Sequence, residues 1–172
     1  MSNKNLIINY GLITSFFGIS FSLMQFYLEN HYENDPISLL VTFIILFSGI
    51  AACILKFKNK SNGIIRLNTA LKLGTGLSSI FALVSIIYFL LLIKVIEPTY
   101  WDTVWQMSYD IGIVEYPERM LNPQTKNLLT FEEFQSYVEW IENLAYPFII
   151  GINLFMGFMF SLVMGLIVKK SE

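Results

Sequence analysis

The sequence predicts an all-α membrane protein: four transmembrane helices in a bundle, with an extracytoplasmic helical hairpin between helices 3 and 4. Three observations carry that reading. Of the 172 residues, 55% are apolar and 14% charged, and the mean hydropathy of +0.58 is high for a water-soluble domain. The apolar residues gather in four blocks, spans at about 6–28, 37–55, 70–94 and 147–168, whose central stretches carry no Asp, Glu, Lys, Arg or His. The only long polar stretch, 97–145, repeats its apolar residues at helical spacing. A hydrocarbon core of about 30 Å takes roughly 20 helical residues to cross, so each block is long enough. Backbone groups find no water in lipid, which leaves helices or closed barrels. Barrel strands alternate in hydrophobicity over about ten residues, and these blocks do not.

The first block follows Lys4, is long, and has no A-x-A-like site behind it, so it is expected to remain as an uncleaved span. Thr14, Gly18 and Ser22 place small side chains down one of its faces. The short loop "ENHYENDP" holds Glu29, Glu33, Asp35 and the only histidine, His31. A closed zinc site needs several nitrogen or sulfur ligands, so His31 is expected to be exposed and solvated, and no metal or cofactor is expected. The second block contains the single cysteine, Cys53, which reads as a small packing residue.

The third block, "LNTALKLGTGLSSIFALVSIIYFLLLIK", spaces Ala70, Gly74, Ser78 and Ala82 four apart on one helix face. Gly157, Ser161 and Gly165 form a matching stripe on the fourth block. Lipid tails remove the hydrophobic drive between helices, so close backbone approach and interhelical hydrogen bonds take its place. These stripes read as candidate packing faces inside one bundle, with self-association as the functional alternative. Gln25 and Asn153, the amides nearest the outer ends of the first and fourth spans, fall at similar depth at about 1.5 Å per residue. They are expected to face each other and share a hydrogen bond or a water. Lys94 ends the third span, where its stem carries the amine to the headgroups, with Glu97 three residues on.

Residues 97–145 form an extracytoplasmic helical insertion with nine carboxylates against Arg119 and Lys126, and with all three tryptophans. "PTYWDTVWQMSYD" puts Trp101, Trp105 and Tyr109 on one helical face. In "TFEEFQSYVEWIENLAYP", Thr130 and Glu133 fit a capping box. Phe131, Phe134, Val138, Ile141 and Ala145 then mark an amphipathic helix whose other side carries Glu132, Glu139 and Glu142. Pro123 and "NPQTKN" separate the two helices, and Pro147 marks the start of the last span with an expected kink. The bland reading is a hairpin that caps the bundle, with its apolar faces against each other and the bilayer surface. The sharper reading is an outer binding surface made of Trp101, Trp105, Glu132, Glu139 and Glu142. No D-x-D-x-D-G calcium loop is present.

With four spans, Lys4, Lys56, Lys58, Lys60, Arg66, Lys72, Lys169 and Lys170 all fall on one side, leaving Lys94, Arg119 and Lys126 for the other. Basic residues beside spans stay cytoplasmic, so both termini are expected inside a bacterial cytoplasmic (inner) membrane.

"LNTALKLG", "SIIY" and "IEPTY" in that order, preceded by Lys58, Lys60, Asn62 and Gly63, resemble the bacterial membrane family known as domain of unknown function 4199. The acidic insertion, Pro147 near the start of the last helix and the terminal Lys169-Lys170 extend the resemblance over nearly the whole chain. Leu67 and Asn68 stand where the family pattern has phenylalanine and glycine. The resemblance implies a fold and a membrane location, and no activity or catalytic residues.

No Ser/His/Asp set, H-E-x-x-H, phosphate loop or cysteine pair is present, so an enzyme is not expected. A scaffold or binding protein acting through the acidic segment is the favoured function class. A small transporter or channel subunit, working as a homo-oligomer with a pore lined by the third helix's stripe, is the alternative. The expected partners are the lipid bilayer, another membrane or extracytoplasmic protein, or a second copy. Nucleic acid is not among them, since the basic residues serve orientation.

Overall fold

The computed structural model describes residues 3–32 and 36–168; Glu33, Asp35, Lys169 and Lys170 lie outside the described residues. Six helices follow in order: α1 (Asn3–Tyr27), α2 (Pro36–Lys60), α3 (Leu67–Leu91), α4 (Tyr100–Glu115), α5 (Phe131–Val138) and α6 (Trp140–Val168). Four are long and apolar enough to cross a membrane: α1, α2, α3 with its continuation to Ile96, and α6. Two compact units result, Met1–Tyr88 with Phe148–Glu172, and Phe89–Pro147.

The ends of α2 and α3 have local causes. Proline at the first position of α2 has no N–H to leave unpaired and a backbone already set for a helix. At the other end, Asn62 and Gly63 have φ of 51° and 83°, and the Gly63 N–H returns to the Lys58 carbonyl at 3.0 Å. That is a left-handed cap, in which glycine bears no steric cost. Lys58 and Lys60 sit in the last turn, where the helix dipole favours positive charge. α3 closes instead through a π-turn, Leu92–Ile96, with the Glu97 N–H reaching the Leu92 carbonyl at 2.7 Å.

The first unit is a helical bundle. Its core takes Leu46, Ile50, Cys53 and Ile54 from α2 and Leu73, Leu77 and Phe81 from α3. Leu6 of α1 and Met164 of α6 close it. The outside is as apolar as the inside: Phe16 is 67% exposed and Ile167 70% exposed. A surface of that kind belongs in lipid. Burial of hydrocarbon then contributes little to helix association, and tight contact has to do it.

Small residues make that contact. A Cβ added to Gly74 of α3 would overlap the Ser161 side chain of α6, and one added to Gly157 of α6 would overlap Ser78 of α3. One at Gly165 would stand 3.0 Å from the Ala70 Cβ and 2.7 Å from Leu67 Cδ1. Ala70, Gly74 and Ser78 on α3 thus meet Gly157, Ser161 and Gly165 on α6, while Ala82 is also buried. The first helix meets different neighbours. Thr14 occupies the space beside Gly49 of α2, and Gly18 and Gly11 lie under Phe81 and Ile80 of α3.

The hydroxyls in these stripes do not bond across helices. Ser161 donates to the Gly157 carbonyl, and Ser78 to the Thr75 carbonyl at 3.0 Å. A helical serine reaches a carbonyl three or four residues back in its own turn, and that bond satisfies it before any neighbour can. The stripes therefore act through their size alone.

In the second unit, the helix expected to run unbroken from Thr130 to Ala145 is divided at Glu139. α6 already begins at Trp140 and passes through Pro147. The Glu139 backbone is itself helical (φ −50°, ψ −36°), so the interruption shifts hydrogen bonds more than direction. α5 opens on Thr130, whose Oγ1 accepts from the Glu133 N–H at 3.3 Å while Glu133 Oε2 accepts from the Thr130 N–H at 2.9 Å. This reciprocal capping box satisfies two otherwise unpaired donors.

Candidate functional site

The segment between the third and fourth long helices is assembled around aromatic rings. Trp101 and Trp105, one helical turn apart on α4, stack with centroids 5.3 Å apart and planes 16° from parallel. Phe89 receives Tyr100, Trp101 and Tyr146 edge-on at 5.9–6.1 Å. Further along α4, Tyr109 lies 5.7 Å from both Phe131 and Phe134, and its hydroxyl donates to the Leu129 carbonyl at 2.7 Å. Edge-on and offset rings suit the aromatic quadrupole and add to the area that they bury.

Polar ties lock this assembly. Trp105 Nε1 donates to Glu142 Oε1 at 3.0 Å, and Gln135 Nε2 to Asp102 Oδ1 at 3.3 Å. Asn122 organises the loop before α5. Its Oδ1 accepts from the Gln124 and Thr125 N–H groups at 2.9 and 3.2 Å, and its Nδ2 donates to Glu133 Oε1 at 3.0 Å. Glu133 thereby serves both the capping box and the loop. Burial pushes the Tyr100 phenol above its ordinary pKa, and the neighbouring Glu97 charge adds to the shift.

The residues expected to form an outer binding surface do not stay together. Trp105 is only 7% exposed, and its indole N–H is already taken by Glu142. Trp105 belongs to the interior of the unit, with Glu142 half-buried beside it, because an aromatic face four residues apart meets the opposing helix before it meets a ligand. Trp101 is half-buried against Trp105, and Glu132 and Glu139 are exposed. Of the five, only Glu132 and Glu139 are fully exposed.

Gln25 and Asn153 do not share a hydrogen bond. Gln25 Nε2 donates to Ser38 Oγ at the start of α2, and Asn153 Nδ2 to the Ile149 carbonyl of its own helix at 2.8 Å. Each amide donates to a nearer acceptor instead. His31 is half-buried rather than solvated, with ring centroids 4.9 Å from Phe26 and 4.0 Å from Tyr32. Among the described residues, no three His, Cys, Asp or Glu side chains converge as metal ligands.

Three residues here were not singled out from the sequence. Asn122 carried a signal, since asparagine before proline opens a turn. Ser38 and Gly49 carried little: a serine one turn into a helix, and a glycine among large apolar residues.

Four apolar helices long enough to span a bilayer, bundled through small residues, are the build of a multi-pass membrane protein. The family of proteins of unknown function DUF4199 matches residues 9–170, and the chain belongs to that family. No curated protein and no solved structure matches it.

Proposed function

We propose that the chain is a non-enzymatic binding or scaffold protein of the bacterial cytoplasmic membrane, with both termini inside. It acts outside, through a helical hairpin formed by α4 and α5 with the first turns of α6. The single observation that carries this reading is the construction of residues 89–147. They form a compact unit of their own, tied across 37 residues by the Trp105–Glu142 bond, with Glu132 and Glu139 left free on the surface. A mere connection between spans needs no such cross-ties. Lys4, Lys56, Lys58, Lys60, Arg66 and Lys72, all at one side of the spans, support the orientation. An acidic surface of this kind suits a partner with a basic patch.

A pore lined by the third helix's stripe finds less support, because Ala70, Gly74, Ser78 and Ala82 are buried within the single chain. Native mass spectrometry of protein extracted gently from its own membrane tests the proposal. A complex with one distinct protein, lost in the Glu132→Lys, Glu139→Lys double variant, supports it. A homo-oligomer carrying a reproducible small ligand overturns it in favour of transport.

A further inference from the structure

The hairpin has two unlike sides. A helix turns about 100° per residue. On α4, Trp101, Trp105 and Tyr109 share the face that meets α5 and α6. A second apolar stripe, Val104, Met107, Ile111 and Val114, lies about 130° before that face. Val104 and Met107 in it are half-buried, and its far end is open: Ile111 is 51% exposed and Val114 77% exposed. On α5 and the start of α6, Phe131, Phe134 and Glu142 face α4. There too a second stripe, Tyr137, Trp140 and Leu144, lies about 130° before the packing face, with Trp140 61% exposed.

The two elements run in opposite directions, since Trp105 meets Glu142 while Tyr109, further along α4, meets the earlier Phe131 and Phe134. In an antiparallel pair, equal offsets in the same rotational sense fall on the same side. Both stripes therefore form one apolar side of the hairpin. The opposite side is mainly polar: Asp102, Gln106 and Asp110 on α4, then Glu132, Ser136 and Glu139, are all exposed, with the half-buried Ile113 the apolar residue among them. Glu133, on the apolar side at the start of α5, is held by Thr130 and Asn122. The Trp140 indole N–H is satisfied by the Tyr137 carbonyl at 2.8 Å, which leaves hydrocarbon ring surface facing out.

We propose that this apolar side rests on the outer headgroup region of the same bilayer, with the acidic side turned to water. The inference builds on the hairpin reading above. Chain length selects the bilayer over another partner. Only Glu97, Pro98 and Thr99 separate the end of the third span from α4, a reach of about 14 Å at most. At the other end, α6 is the same helix that continues as the fourth span. Both ends of the hairpin are thus tethered at the membrane surface, where amphipathic helices bury an apolar face roughly 5–10 Å deep. Tyrosine and tryptophan are enriched at that depth.

The test uses full-length protein in phosphatidylcholine vesicles, labelled with an environment-sensitive fluorophore at Val114→Cys, Leu144→Cys, Asp110→Cys or Glu139→Cys. Cys53 is buried and stays in place, with the unsubstituted protein as background. Brominated lipid is expected to quench positions 114 and 144 at least about twofold more than positions 110 and 139, with aqueous iodide giving the reverse order. Iodide quenching at 114 and 144 equal to that at 110 and 139 overturns the membrane placement and leaves the acidic binding side standing. Position 114 in lipid and 144 in water breaks the hairpin itself. Protection of both from both quenchers means that a protein, or a second copy, covers the face, which also overturns the proposal.

Discussion

The indole nitrogen of Trp105 and a carboxylate oxygen of Glu142 lie 3.0 Å apart, 37 residues distant in sequence. Trp105 is on α4, and Glu142 is in the first turn of the helix that goes on to become the fourth membrane-length segment. One bond therefore joins the segment's first helix to its last. The carboxylate gains a donor as the indole is buried, so neither group enters the interior unpaired.

Removing the acceptor should cost more than removing its charge. Glu142→Leu leaves a buried indole N–H without a partner and should lower stability by about 1–3 kcal/mol. Glu142→Gln keeps an acceptor of the same shape and should lose only about 1 kcal/mol. Thermal unfolding in detergent, followed by tryptophan fluorescence, ranks the two. Equal losses would show that the carboxylate's charge, rather than its hydrogen bond, matters at this position.

The α3–α6 contact predicts a rescue. Gly74→Ala should favour the helix intrinsically by about 1 kcal/mol. Its methyl group would nevertheless overlap Ser161, whose Cβ lies 2.7 Å from the ideal position. Overpacking of that kind typically costs about 1–3 kcal/mol, so the variant should be less stable than the parent. Ser161→Gly in the same chain removes the obstruction and should recover most of the loss. A double variant no better than Gly74→Ala would mean that the two helices separate rather than clash.

Asn122 should prove more important than its exposed loop suggests. Its side chain accepts two backbone N–H groups and donates to Glu133, the residue that also caps α5. Asn122→Ala should cost about 1–2 kcal/mol and release the start of α5 with the loop. Amide hydrogen exchange would then quicken at residues 124–133 and stay unchanged in α1 and α2. Faster exchange confined to Gln124 and Thr125 would show that the loop and the cap are independent.

The long helices were legible because lipid imposes a simple requirement, about 20 apolar residues in a row. The small-residue stripes were legible because spacing by four marks a single helix face. Which faces meet was less so: Thr14 and Gly18 read as one stripe, yet they lie against α2 and α3 respectively. Spacing names a face and is silent about its neighbour. Depth alone does not name a hydrogen-bond partner: the Gln25 and Asn153 amides donate to Ser38 and to the Ile149 carbonyl. Trp105 fits two readings, an outer surface or packing within the segment, because an aromatic face looks the same in sequence whether it meets a partner or its own neighbouring helix. Only the opposing residues, Phe131, Phe134 and Glu142, decide between the two.

Tyr100 should give residues 89–147 an alkaline sensitivity. Burial, and secondarily the charge of Glu97, hold its phenol above the ordinary value of 10.0. Below that pH the phenol is neutral in the folded and the unfolded chain alike and contributes no pH dependence. As pH rises past 10.0, the unfolded chain releases its proton first, so the unfolded state binds fewer protons and stability falls. The fall continues until the folded phenol also ionises. Tyr100→Phe should flatten this part of the alkaline limb in thermal unfolding measured in detergent. Glu97→Gln should lower the folded phenol's pKa only partway, because burial is the larger cause. If Glu97→Gln flattens the limb as fully as Tyr100→Phe, the carboxylate rather than burial controls the phenol, and the aromatic cluster around Phe89 is wetter than its geometry indicates.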